Sequence, residues 1–260
     1  MPSIVWGRDP QEAYEEPYEY EAQDQFVREA KSLLPALYKL LNSDQHRYSF
    51  GDRSTEKAVW LLHMDALDGL FDSLESLVAK RHRVAGQLFR SIEEALDLAA
   101  LFASRTPRAT QLLSKWYDNE VIPHSRYRQH LSETEGPEIA KQRAEHYRRM
   151  SKFTHRTHRA IMDGYSRGSE ERLVHDRTGL LYGEHTDAPT FLVLPHTLAA
   201  YLAVLGGLIT LFMDQLKRYE LVPAAALAEV VDASLEKETV PRRFMPRRWI
   251  RPPTELQEDS

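Results

Sequence analysis

No cysteine occurs anywhere in the 260 residues, so disulfides, thiolate metal sites and cysteine nucleophiles are excluded by stoichiometry alone. Strand signals are scarce: Phe191-Leu-Val-Leu194 is the one short run with strand character. There is no Gly-rich phosphate loop and no nucleophile-elbow motif, which removes nucleotide hydrolysis by those routes. The start, MPSIVWGRDP, lacks the basic segment and apolar run of a secretory signal, and the expectation is a cytoplasmic protein. No internal repeat at a fixed period is visible.

One stretch lacks charge instead. From Ala188 to Met213 no residue is formally charged, a length that could span a bilayer. Pro195 and His196 interrupt it, however, and an all-apolar helix is also what the centre of a helical bundle contains. The expectation is a buried core helix ending near Tyr219, with Gly206-Gly207 admitting a close neighbour, and no membrane partner.

What is present is mostly helical pattern, and the fold class expected is all-α: one helical bundle over residues 22–239, flanked by an acidic flexible N-terminal arm (1–21) and a basic Pro/Arg-rich C-terminal tail (240–260). The arm carries seven acids and no base between Asp9 and Asp24, and the tail sets Arg242, Arg243, Arg247, Arg248 and Arg251 among prolines. Helices are expected from Ala22 to Leu41 with a kink or restart at Pro35, and from the Asp52–Ser54 cap onward with Val59, Leu62, Ala66, Leu67, Leu70, Phe71, Leu74 and Leu77 on one face. A third presents Val84, Leu88, Ile92, Ala95, Ala99 and Phe102, and a fourth opens at Thr106-Pro107 and runs through Trp116. His124, Arg126, Arg128 and His130 are read as a loop before a long helix that opens at Gly136-Pro137 and ends near Gly164 or Gly168. After an irregular stretch come the apolar helix and a last helix from Pro223 to about Glu238. His63, on an apolar stripe, reads as a hydrogen-bonded core histidine.

Charge is uneven in a way that singles out one helix. Residues 80–160 hold 16 Lys/Arg and 9 Asp/Glu, a net of +7 in a chain whose total is −5. Nine basic or imidazole side chains fall between Arg143 and Arg159, opposed only by Glu145. At 100° per residue Met150, Phe153, Thr157, Ala160 and Ile161 form the core face, with Tyr147 and Thr154 on its flank. Opposite lie Arg148, Lys152, His155 and Arg159 at spacings of four, three and four, with Arg149 and Arg156 beside them.

His155 sits among cations, which disfavours its protonated form and leaves a neutral base near pH 7. A neutral imidazole can take the proton of a ribose 2′-hydroxyl while arginines offset the charge growing on phosphate. The same stripe also reads as a phosphate contact surface without chemistry, or as a solvated basic face. On the catalytic reading His155, Arg149 and Arg148 are the reacting set, and Lys152, Arg156, Arg159, Tyr147 and Ser151 contact the substrate. The loop around Arg126 and Arg128, with Lys80 to Arg83, extends the patch. Arg90 and Glu93 have two readings: an ion-pair set within their own helix with Glu94 and Asp97, or a pair facing the His155 helix as anion ligand or imidazole support. No carboxylate stands at the spacing that would complete a His155/His158 metal cage, so no metal and no cofactor is expected.

The segment Ala85-Gly-Gln-Leu-Phe-Arg-Ser-Ile-Glu-Glu-Ala-Leu96, followed by Tyr147-Arg-Arg-Met-Ser-Lys-Phe-Thr-His155, resembles a group of uncharacterised bacterial helical proteins similar to the HEPN class (higher eukaryotes and prokaryotes nucleotide-binding). The resemblance covers roughly residues 55–215 and rests on an Arg-Ser-x-x-Glu helix and a Tyr-x-x-Leu-Ser-x-x-x-His helix. It implies a helical bundle, a homodimer that completes the site, and, where the class is active, a metal-independent endoribonuclease of a toxin or defence type. Arg149 with five residues before His155, or Arg148 with six, fits the Arg-to-His spacing of that class. Active members usually place Asn, Asp or His after the arginine, whereas Arg148 is followed by Arg149 and Arg149 by Met150. Two functions stand side by side: binding of RNA, a nucleotide or another phosphate-bearing ligand through the basic helix, and a non-catalytic interaction module that docks an acidic protein partner.

Overall fold

The computed structural model describes residues 17–43, 48–79, 81–154, 158, 161, 165–167, 173–175 and 195–236. Within them the chain forms α1 (Pro17–Leu41), α2 (Thr55–Val78), α3 (His82–Ala103), α4 (Pro107–Tyr117), α5 (His124–Glu135), α6 (Pro137–Thr154), α7 (Pro195–Arg218) and α8 (Ala224–Ser234). Between α6 and α7 lies a two-stranded antiparallel pair, β1 (Tyr165–Arg167) and β2 (Leu173–His175), with Ser166 opposite Val174.

Helix starts follow the local chemistry read from the sequence. Ser54 caps α2, its side chain accepting the Lys57 N–H at 3.2 Å. Thr106 caps α4 by accepting from Ala109 N, with Pro107 in the first turn, where its missing N–H costs nothing. Between α5 and α6 the chain turns at Gly136, whose φ of 91° is a conformation that a side chain would strain, and Pro137 then opens α6.

Helix α3 is the hub, packed against α2, α4, α5, α6 and α7. The α2–α3 contact is close: a Cβ added at Gly69 would lie 2.7 Å from Ile92 Cγ1. Helix α7 is the apolar centre, with Leu202, Leu205, Ile209, Phe212 and Leu216 fully buried. Among the described residues no helix is long and apolar enough to cross a membrane. His63 is also fully buried, donating from Nδ1 to the Val59 carbonyl at 2.7 Å and stacking against Phe212 and Tyr219. Desolvation drives its pKa down to about 4, outweighing the Val59 and Gln215 hydrogen bonds.

Several expectations shift. Helix α1 begins at Pro17, five residues before Ala22, and continues through Pro35. The carbonyl that this proline leaves without a donor belongs to exposed Lys31, where water can serve it. On α3, Val84 is 40% exposed while Phe89 is fully buried, because a helix packed by five neighbours buries more than one stripe. The His124–His130 segment is helical, not a loop. Residues 165–167 and 173–175 pair as strands where an irregular stretch was expected. Ile161, assigned to the core face of the long helix, is 42% exposed, and α8 closes at Ser234. The acidic arm before Pro17, the tail after Glu236 and Phe191–Leu194 lie outside the described residues.

Candidate functional site

Spacing on two helices builds the most polar contact in the core. Arg143 and Tyr147 are four residues apart on α6 and so share a face; Glu93, Glu94 and Asp97 project from the facing side of α3. Arg143 Nη1 reaches Asp97 Oδ1 at 3.3 Å and Glu93 Oε1 at 3.5 Å, and both carboxyl groups are buried. The Tyr147 hydroxyl donates to Glu94 Oε1, which also accepts from Arg90 Nε at 3.0 Å. Two guanidinium groups lie over the Tyr147 ring, Arg128 at 4.0 Å and Arg90 at 4.7 Å from its centroid, and His124 packs on it at 5.5 Å. Helix α5 contributes His124, Tyr127 and Arg128; α3 the carboxylates and Arg90; α6 the arginine and tyrosine that bind it to both.

The electrostatics follow from burial. Desolvation pushes the Asp97 carboxyl up to about 7; Arg143 pulls against it, while the charges of Glu93 and Glu135 add to it. Near neutrality Asp97 is therefore divided between its two forms. Protonation of Asp97 removes one of the two carboxylate charges that Arg143 meets. Arg128 is the least compensated member: its Nη2 is buried, and no hydrogen-bond acceptor meets it among the described residues. Burial and the Glu94 hydrogen bond hold the Tyr147 hydroxyl in its neutral form.

The sequence-expected residues divide accordingly. Arg90, Glu93 and Tyr147 come together around α3 and α6; Arg90 makes its intrahelical pair with Glu94 and lies over the Tyr147 ring of α6, as the ion-pair reading expected. Arg148, one step past Tyr147, is exposed. Arg149, Ser151 and Lys152 lie on α6, while His155, Arg156 and Arg159 lie outside the described residues. Arg143, counted among the basic cluster, is consumed by Glu93 and Asp97 rather than offered to a ligand. Arg128, read from the sequence as part of a loop extending the patch, lies on α5 over Tyr147; sequence reasoning missed Tyr127 and the central position of Asp97, for which the available signal was the four-residue spacing of Arg143 and Tyr147 against three carboxylates on one earlier helix. Among the described residues no three His, Asp or Glu side chains converge as metal ligands would.

A second feature lies on another side of α3. A cleft of about 880 Å³ opens between the 50–53 turn, α2, α3 and the end of α4, lined by Leu61, Leu98, Trp116 and Tyr117. Phe50 and Val121 line it while standing almost wholly in solvent, at 103% and 90% exposure. Lys57 fixes the turn by donating to the carbonyls of Ser49, Phe50 and Asp52 at 2.7–2.8 Å.

Comparison with protein-family models, with curated proteins and with solved structures gave no match.

Proposed function

We propose that this protein is an HEPN-like helical bundle that binds RNA or another phosphate-bearing ligand through the basic residues of α6 and the segment after it, working as a homodimer. The observation that supports it is Arg128: a guanidinium held over Tyr147 together with Arg90, with a buried N–H that meets no acceptor among the described residues, while Arg148, the residue after Tyr147, is exposed. A phosphate oxygen supplies the missing acceptor, and guanidinium groups suit phosphate geometry. Arg148, Arg149, Lys152, Arg156 and Arg159 track the backbone of the ligand.

When the ligand is RNA, His155 takes the proton from a 2′-hydroxyl. The 2′-oxygen forms a bond to phosphorus, the 5′-oxygen leaves and picks up a proton from water, and Arg148 and Arg149 offset the charge on the pentavalent phosphate. No metal is needed for these steps. The test incubates wild type, His155→Ala and Arg128→Gln with labelled single-stranded RNA at low and moderate salt, reading retention and cleavage. Retention should fall steeply with salt, with a slope of about −0.7 per phosphate contact, and Arg128→Gln should reduce that slope. Cleavage that disappears in His155→Ala while retention persists identifies the base; retention without cleavage in either protein leaves a binding module. Retention that is absent, or flat with salt, overturns the reading.

A second reading, a non-catalytic protein-interaction module, draws on exposed Phe50 and Val121 at the 880 Å³ cleft, since apolar groups rimming a groove are characteristic of protein contacts. A Phe50→Ser/Val121→Ser variant separates the two: RNA retention is untouched if α6 is the functional surface.

A further inference from the structure

Helix α2 carries a line of charge that nothing beside it offsets. Asp65, Asp68, Asp72 and Glu75 recur at spacings of three, four and three, which sets them along one stripe, and all four are exposed. Among the described residues none of them forms an ion pair. Partial desolvation, and then the charges of Asp65 and Asp72, hold the Asp68 carboxyl above its ordinary value, as crowding of like charges requires.

Beside this stripe a groove of about 550 Å³ opens between α1 and α2, lined by Pro35, Tyr38 and Lys39 from α1 and by Asp68, Phe71 and Asp72 from α2. Its apolar part is an aromatic pair, Tyr38 edge-on to Phe71 with ring centroids 6.5 Å apart, and Tyr38 is 39% exposed. Lys39 is the one cation among these lining residues, set against Asp68 and Asp72 in the groove and Asp65 and Glu75 along the stripe. Aromatic-lined grooves take proline-rich segments and guanidinium groups, and an excess of carboxylates favours a basic guest. The chemistry that fits is a segment combining arginine with proline and aromatic side chains.

This chain contains such a segment, and its point of attachment adjoins the groove. The described residues end at Glu236, whose carboxylate accepts two hydrogen bonds from Arg28 of α1, at 2.7 and 3.0 Å. Arg28 and Pro35 are seven residues apart and share a face of α1, so Glu236 is held about 10 Å along that helix from the groove. Residues 237–260 then set Arg242, Arg243, Arg247, Arg248 and Arg251 among Pro241, Pro246, Pro252 and Pro253, with Phe244 and Trp249. Arg242, six residues past Glu236, can already reach about 20 Å. We infer that residues 240–253 dock in the groove between α1 and α2, with prolines and aromatic rings against Tyr38 and Phe71 and arginines on the carboxylates of α2. Single surface ion pairs are weak, but several on one short segment act together, because attachment to the same chain keeps the segment at high local concentration. The groove carries the opposite charge to the basic helix, and the inference does not rest on the reading of α6.

The lack of cysteine makes a direct test available. A Lys31→Cys/Met245→Cys pair in the full chain, carrying two spin labels, reports the distance between exposed Lys31 on α1 and the tail. At low salt the pair should show one narrow distance. It should broaden at high salt, where exposed charges are screened, and at low salt when Asp68→Asn/Asp72→Asn or Arg247→Gln/Arg248→Gln is added. In the unlabelled chain, trypsin should cut after Arg243 and Arg248 severalfold faster in Asp68→Asn/Asp72→Asn than in wild type, with circular dichroism confirming that the variant is folded. A broad distribution at low salt would overturn the inference, as would a narrow distance and an unchanged cleavage rate in Asp68→Asn/Asp72→Asn, which would put the tail elsewhere. A narrow distance that vanishes in an excess of unlabelled protein would overturn it too, since the groove would then hold the tail of a second copy.

Discussion

Arg143 of α6 meets Asp97 of α3 at 3.3 Å, and through that one contact the basic helix is fastened to the carboxyl whose ionisation is the most finely balanced in the core. Arg143 favours the charged form and burial opposes it, with burial winning.

Stability should fall as pH rises from about 4 to about 7. The folded-state pKa of Asp97 is raised to about 7 from 3.8, so its contribution is fully present below about 4 and lost as pH rises through 7. The difference is on the order of 4 kcal/mol. Asp97→Asn, which imitates the protonated form, is expected to melt several degrees above wild type at pH 9 and by a clearly smaller margin at pH 5. A variant less stable than wild type at both values would show that Arg143 depends on the Asp97 charge more than burial penalises it.

Acid should act through His63 in the opposite sense. Its pKa is lowered from 6.5 to about 4, so stability is fully present above about 6.5 and lost as pH falls through 4, by an amount on the order of 3 kcal/mol. Chemical denaturation of His63→Leu across that range should show a flatter pH profile than wild type, whatever its absolute stability. An unchanged profile would place the acid sensitivity elsewhere.

Tyr147 contributes through two separable parts. Tyr147→Phe removes the hydrogen bond to Glu94 but keeps the ring under Arg90 and Arg128, and should cost about 1–2 kcal/mol in urea denaturation. Tyr147→Ala also removes the ring and should cost at least twice as much. Equal losses would mean that the two guanidinium contacts contribute nothing.

Gly69 offers a change of sign. Alanine is the better helix former by about 1 kcal/mol, but its Cβ would meet Ile92 Cγ1 at 2.7 Å, and overpacking typically costs 1–3 kcal/mol. Gly69→Ala should destabilise the wild type and stabilise an Ile92→Ala background, measured as paired denaturation midpoints.

Much of the helical framework was legible along the chain because its signals are local. Ser54 and Thr106 announce their helices through capping chemistry that involves only three residues, and the charge-free run at α7 announces burial through composition. His63 could be read as a core histidine because its neighbours at three and four positions are apolar. The His124–His130 segment was not legible as helix, since its polar residues carry only a weak apolar period and its helicity comes from Tyr127 and Leu131 packing inward. The two exposures that mark the cleft, Phe50 and Val121, were equally invisible, because nothing local distinguishes an apolar side chain that finds a partner from one that does not.

The sequence by itself determined the class of the molecule, an assembly of helices with a basic segment after Gly136 and an apolar helix before Tyr219, because periodicity, caps and charge density are properties of neighbours in the chain. Only the tertiary structure decided which of those charges are available. Arg143 is spent on Glu93 and Asp97, forty-six residues or more away in sequence, while Arg128 is left with a buried N–H that meets no acceptor among the described residues. Asp97 acquires its near-neutral pKa only when three other helices exclude water from it. Desolvation and long-range pairing depend on what closes over a side chain, and that is settled by packing rather than by the residues beside it.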